Sequence, residues 1–173
     1  VNEWKIDLTY GGNNLPVSYL SYEWDGTNWI AEERGQLNYN PNNKLTEQLD
    51  EEWGNSQWEK SGKLLYDYNA NHQMIYSRQG EWDDFNNLYK EIYRTDYVLD
   101  GTGNRIRTIN TNIENNYINK DEYTYDSFSL MSNFAHPFKD KNGLDYLSED
   151  FPYVNKILAE NHYNYDMATS TYN

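Results

Sequence analysis

The chain contains no cysteine. That excludes disulfides, thiolate-ligated zinc and a thiol nucleophile, but it assigns no compartment, because exported bacterial domains also lack the residue. Basic residues are scarce: 14 Lys and Arg stand against 28 Asp and Glu, a net charge of -14. A surface of that sign repels phosphate backbones and anionic lipid, so nucleic acid and membrane surfaces are not expected as partners, while cations, neutral sugars and other proteins remain. No apolar run approaches the roughly 18 residues needed to cross a bilayer, and no membrane insertion is expected. His72, His136 and His162 are the whole histidine complement. None stands at metal-ligand spacing with another, so a turn or surface role is expected of them rather than catalysis.

Apolar residues are few as well, at 37%, with a mean hydropathy of -1.07. What the chain has instead is aromatic area: 18 Tyr, 6 Trp and 5 Phe in 173 residues. Disordered chains are poor in such residues, so this one folds. Tyr and Trp need only one face buried while a polar tip meets water, which predicts a thin core. The length suits one domain.

The aromatic residues recur with a fixed period. Trp24, Trp53 and Trp82 are spaced 29 residues apart, as are Tyr10, Tyr39 and Tyr68. Trp29 and Trp58 repeat the interval, and one inserted residue in "WDDFNNL" makes Leu88 and Tyr117 the next equivalents. A fixed period reorganises every later reading. Between the landmarks the residues alternate: in "WEKSGKLLYDY", Trp58, Leu64, Tyr66 and Tyr68 fall on one face and Glu59, Lys63 and Asp67 on the other, the period-two pattern of a strand with one buried face. Turn chemistry separates the strands at Gly11, Asn40, Asn69 and Asp100 in one series and at Asp25, Gly54 and Asp83 in the other. Gly and Asn adopt positive φ cheaply and Pro presets a turn, so these are hairpin connections.

The predicted fold is therefore all-β, an up-and-down antiparallel meander of about 29-residue hairpin repeats over residues 1–126, with roughly nine strands. The alternation breaks at Ser127. Residues 127–155 gather phenylalanines and two prolines and read as an irregular lid with a short helix at 144–149, in which Phe134, Phe138 and Phe151 cover the aromatic face. Residues 156–173 resume as final strands: the strand from Ile157 supplies a partner for the one ending near Tyr125, and Tyr165 and Tyr172 echo the tryptophan pair. The whole, residues 1–173, reads as one domain.

"YDYNANHQMIY" and "LDGTGNRIR" resemble the tyrosine-aspartate repeats of Rhs-type shells, whose core reads YD followed by a Gly-Asn turn. Residues 4–125 are more similar to the secreted Trp/Tyr/Asn-rich hairpin-repeat proteins of Bacteroidetes, in which tryptophan-flanked turns alternate with tyrosine-ended strands. "AHPF" at Ala135 approximates the Asn-Pro-Phe-like region that follows in them. The resemblance implies export and an all-β fold, and it brings no catalytic residue. The chain begins at Val1 rather than Met, as a processed or excised domain does, so a secreted or cell-surface protein is the expectation.

For the tryptophans the leading reading is sheet core and register control, since cross-strand aromatic pairs stabilise a sheet by roughly 0.2 to 1 kcal/mol each. The functional reading makes Trp24, Trp29, Trp53, Trp58 and Trp82 a stacking platform for sugar rings. Asp140, Asn142 and Asp145 set oxygen donors around a glycine as calcium loops do, but without the distal bidentate Glu, so an Asn-Gly turn is expected there and no cofactor or metal. The conclusion from sequence is a non-enzymatic exported structural or binding module with carbohydrate or protein as the ligand class. The alternative is a carbohydrate-active hydrolase with a carboxylate pair under the lid.

Overall fold

The computed structural model of the chain describes residues 3–133, 154–166 and 169–172. The expected helix at 144–149, the phenylalanines Phe134, Phe138 and Phe151, His136, and the calcium-loop candidates Asp140, Asn142 and Asp145 lie outside the described residues. Eleven strands follow in chain order: β1 (Trp4–Tyr10), β2 (Pro16–Trp24), β3 (Trp29–Tyr39), β4 (Leu45–Gly54), β5 (Gln57–Tyr68), β6 (Met74–Asp83), β7 (Leu88–Leu99), β8 (Arg105–Asn112), β9 (Tyr117–Leu130), β10 (Asn155–Asp166) and β11 (Thr171–Tyr172). Each is hydrogen-bonded to the next, in an all-β antiparallel meander. The backbone clusters into two compact units, Val1–Leu65 with Gln79–Lys90, and Tyr66–Arg78 with Glu91–Asn173.

Both series of turns form as their residues dictate. At Gly11, Asn40, Asn69 and Asp100 the N–H donates to the carbonyl four residues on, at 2.8 to 2.9 Å. The residue before that carbonyl has positive φ in each case: Asn14, Asn43, His72 and Gly103. His72 is thus a turn residue in the left-handed region, which His visits more readily than bulkier types. At the other end of the hairpins, Asn55 and Ser56 both take positive φ, the requirement of a two-residue type I′ turn.

The paired tryptophans stand directly opposite each other. Trp24 faces Trp29 and Trp53 faces Trp58 in register, with ring centroids 5.3 Å apart in both pairs. Tyr165 and Tyr172 repeat the arrangement at 5.1 Å. Three expectations need correction. A register shift between Leu49 and Glu51 sets Lys63 opposite Leu49 and Lys60 opposite Glu51, so Trp58 shares a face with Lys63 and not with Leu64, Tyr66 and Tyr68. Trp82 packs against Tyr89 at 4.9 Å, so Tyr89 is the ring partner where one inserted residue pointed to Leu88. The tryptophans are also not core: Trp53 is 47% and Trp29 38% exposed. They fix register from the surface, at the hairpin ends. The buried apolar residues are Tyr19, Leu37, Leu45, Tyr66 and Met74, and among the described residues no large side chain is fully enclosed.

At the C-terminal side, β10 pairs with β9, with Ile157 opposite Tyr125. β9 itself runs past Ser127 to Leu130. The alternation is lost there because pairing lapses between Tyr125 and Leu130, where the Asp126 carboxylate accepts from Phe128 N and Ser129 Oγ. A single 3₁₀ turn, Met131–Asn133, follows.

Candidate functional site

Strand alternation divides the first unit into two faces. On one, Tyr19 lies opposite Gly35, and Gly35 opposite Asp50. On the other, a row crosses five strands: Asp7, Leu20, Arg34, Glu51 and Lys60 are successive cross-strand neighbours. The two faces carry different chemistry.

The Tyr19 face holds a buried polar knot. A register shift between Ser21 and Tyr22 inserts an extra residue in β3 and turns Glu33 toward Tyr19. The Tyr19 hydroxyl then lies 2.6 Å from Glu33 Oε1 and 2.7 Å from Asp50 Oδ1, while Gln48 donates its amide to both oxygens of Asp50. A phenol carries one proton, so both short contacts are hydrogen bonds only when one of the two carboxyls is protonated. Burial pushes the Asp50 carboxyl above the ordinary range, with the Glu33 charge adding to the rise against the lowering effect of Tyr19 and Gln48. Of the two carboxyls, Asp50 is the one whose burial favours the protonated form. Burial, together with hydrogen bonds to the two carboxylates, also raises the Tyr19 phenol. This carboxylate pair closes on a phenol rather than around space for a substrate.

The opposite face bears a concavity of about 560 Å³. Leu20 and Leu49 supply apolar floor, and Trp58 of β5 and Tyr89 of β7 supply aromatic wall. Charges in it balance: Asp7 and Glu51 against Arg34 and Lys60. Arg34 is ion-paired with Glu51, and Asp7 with Lys5. Ser18, Thr9 and Gln36 bring hydroxyl and amide groups to the same surface. Burial and the neighbouring carboxylates Glu51, Asp50 and Glu47 raise the Tyr89 phenol, which keeps it a neutral hydroxyl.

Of the five tryptophans expected to form a stacking platform, Trp58 borders this concavity, whereas Trp24, Trp29, Trp53 and Trp82 do not. Tyr89 was not legible as a site residue. Nor were the cations that cap the rings: Lys5 stands over Tyr22 at 4.0 Å, Arg34 over Trp58 at 4.7 Å, Lys60 over Trp82 at 4.0 Å and Lys63 over Tyr89 at 5.7 Å. Lys5, Arg34 and Lys63 recur at the 29-residue period of the tryptophans, so the same search extended to basic residues would have found them. Such contacts stabilise by roughly 0.5 to 1 kcal/mol at exposed sites.

In the second unit, Lys120 stands over the rings of Tyr163 and Tyr172. His162 contacts Asp121 through Nδ1 at 2.6 Å, and that hydrogen bond raises its pKa. Among the described residues no group of three or more His, Asp or Glu side chains is placed to hold a metal ion, and no helix is long and apolar enough to cross a membrane.

No protein-family model matches the chain, and no curated protein matches it. Solved structures do resemble it. A protein of unknown function from Bacteroides fragilis has a TM-score of 0.56 at 12% identity, over 68% of this chain and 87% of its own. Two DUF3836 family proteins also align. That from Parabacteroides distasonis has a TM-score of 0.46 at 18% identity, over 52% of this chain and 84% of its own. That from Bacteroides vulgatus has 0.46 at 20%, over 51% and 90%. The likeness to the Bacteroides fragilis protein shows a shared fold.

Proposed function

We propose that the chain is a non-enzymatic, exported binding module, a single β-repeat domain whose concavity in the first unit takes a neutral carbohydrate. The observation that carries this reading is the meeting of Trp58 and Tyr89 with hydroxyl and amide groups on a surface whose charges cancel locally. A sugar ring offers C–H faces to aromatic rings and hydroxyls to Gln36 and Ser18, and it brings no charge for a protein of net charge -14 to repel. Export rests on the resemblance to secreted Bacteroidetes hairpin-repeat proteins. The hydrolase alternative needs two carboxyls at catalytic separation facing open space; the two that border the concavity, Asp7 and Glu51, stand three strands apart and are ion-paired with Lys5 and Arg34, while Glu33 and Asp50 share the Tyr19 hydroxyl on the other face.

A glycan array run beside a panel of chromogenic glycosides tests the reading. Binding of neutral glycans without release of chromophore is expected, with affinity lost in Trp58→Ala and weakened in Gln36→Ala. Turnover would establish the hydrolase instead. Binding that survives Trp58→Ala unchanged would move the site elsewhere, and absence of glycan binding would leave a protein ligand as the module's target.

A further inference from the structure

Among the described residues β1 is the end strand of the sheet, hydrogen-bonded to β2. Trp24 N donates to Glu3 O at 3.0 Å, which makes Glu3 and Trp24 a hydrogen-bonded pair. In an antiparallel ladder that role alternates, so Lys5, Asp7 and Thr9 also bond to β2. The N–H and C=O groups of Trp4, Ile6 and Leu8 point the other way, and among the described residues no strand pairs with them.

We propose that this edge is the interface of a two-fold homodimer, in which β1 of one copy pairs antiparallel with β1 of a second copy about an axis at Ile6. The strand reads "WKIDLTY", apolar at alternate positions, which is the pattern of a strand with one covered face. Yet Trp4 is 73%, Ile6 38% and Tyr10 56% exposed. Natural edges are blunted by Pro, by bulges or by charge. Here there is no Pro in the strand, its register shift falls at Thr9/Tyr10, leaving residues 4–8 regular, and its two charges, Lys5 and Asp7, are of opposite sign and so repel a second copy only in registers that set like against like. An open edge of this kind is a template for another strand.

The side chains select the register. An axis at Ile6 makes Ile6 with Ile6, Trp4 with Leu8 and Leu8 with Trp4 hydrogen-bonded pairs, using the outward backbone groups of all three residues in both copies. It also sets Lys5 of each copy opposite Asp7 of the other. An axis at Asp7 would oppose two carboxylates at a non-hydrogen-bonded position, where side chains are closest, and an axis at Lys5 would oppose two ammonium groups. Axes between residues would match outward groups with inward ones. The Ile6 register alone joins complementary charge to a complete ladder.

Sedimentation velocity over a concentration series at about physiological salt, where the Debye length is roughly 8 Å and the net charge of each copy is screened, tests the proposal. The wild-type chain is expected to dimerise. Ile6→Pro is expected to be monomeric with an unchanged circular dichroism spectrum, since that N–H makes no bond to β2 and an edge strand tolerates proline there. Lys5→Glu is expected to weaken the dimer roughly tenfold by opposing like charges twice, and adding Asp7→Lys to restore it. A wild-type chain that stays monomeric through the series overturns the proposal, and so does a dimer that Ile6→Pro leaves intact. Should Ile6→Pro not fold, the charge arms decide: equal association of Lys5→Glu and the double variant overturns the register.

Discussion

The ring of Tyr19 lies against Gly35 on the neighbouring strand: a Cβ on Gly35 would stand 2.1 Å from Tyr19 Cε1. A tyrosine laid over a glycine fills the gap that the missing side chain leaves in the sheet, and it carries the Tyr19 hydroxyl to Glu33 and Asp50. Gly35→Ala must therefore displace the ring and the polar knot together. The expected loss is at least about 1 to 3 kcal/mol, as for other overpacked sites, or roughly 2 to 4 °C in Tm per kcal/mol at this chain length. A melting temperature within a degree of wild type would show that Tyr19 does not need the glycine.

How much of this was legible follows from how local each feature is. The turns could be read because positive φ is a property of single residues such as Asn43 and Gly103. The tryptophan pairs could be read because a short turn forces residues such as Trp53 and Trp58 opposite each other. The Tyr19 knot could not, because Glu33 reaches it only through a bulge that strict alternation does not contain. Burial was misjudged at Trp53 for a related reason. Period-two alternation says which residues share a face, and nothing about whether another layer covers it.

Trp53 shows what that distinction is worth. Its ring meets Trp58 nearly edge-on, at 69°, while nearly half exposed. Trp53→Ala is expected to cost less than the roughly 3 to 5 kcal/mol typical of a buried tryptophan, about 0.5 to 1.5 kcal/mol of it from the aromatic pair and the rest from the half of the ring that is buried. Urea unfolding separates the two. A loss above about 3 kcal/mol would mean the ring is covered in solution.

Asp50 gives a pH dependence of definite sign. Burial raises its folded pKa above the unfolded value of 3.8, so the folded state binds the proton more tightly. Its contribution to stability is fully present below 3.8 and is lost as pH rises through the raised folded value. Asp50→Asn cannot ionise, and its amide can donate to Tyr19. The variant is expected to lack that decline, so its stability relative to wild type should improve as pH rises across the window. Parallel pH profiles from denaturant unfolding would place the proton elsewhere.

Asp100 titrates with the opposite sign, and its turn explains why it is not asparagine. Asn40, Asn69 and Asp100 hold equivalent positions, each side chain accepting the amides two and four residues on. At Asn69 the remaining amide donates to Gln73 Oε1. At Asp100 the neighbour is Asn104, whose own amide donates to Asp100 Oδ2 at 3.0 Å. Asn104 cannot turn over, because its oxygen accepts from Val154 N and Asn155 N. Asp100→Asn would therefore set two donors against each other, although asparagine suits the backbone. The Asn104 amide keeps Thr102 Oγ1 and Asn155 Oδ1 as acceptors, so the expected cost at neutral pH is about 1.5 to 3 kcal/mol, that of a lost hydrogen bond to a charged group. Burial works against ionisation of Asp100, but the hydrogen bonds from Thr102 and Asn104 outweigh it and hold the carboxyl at about 2. Its contribution is thus present above the unfolded value of 3.8 and lost as pH falls toward about 2. Denaturant unfolding at a series of pH values should show the gap between wild type and Asp100→Asn narrowing across that window. A gap that stays constant would mean the charge on Asp100 does not hold the turn.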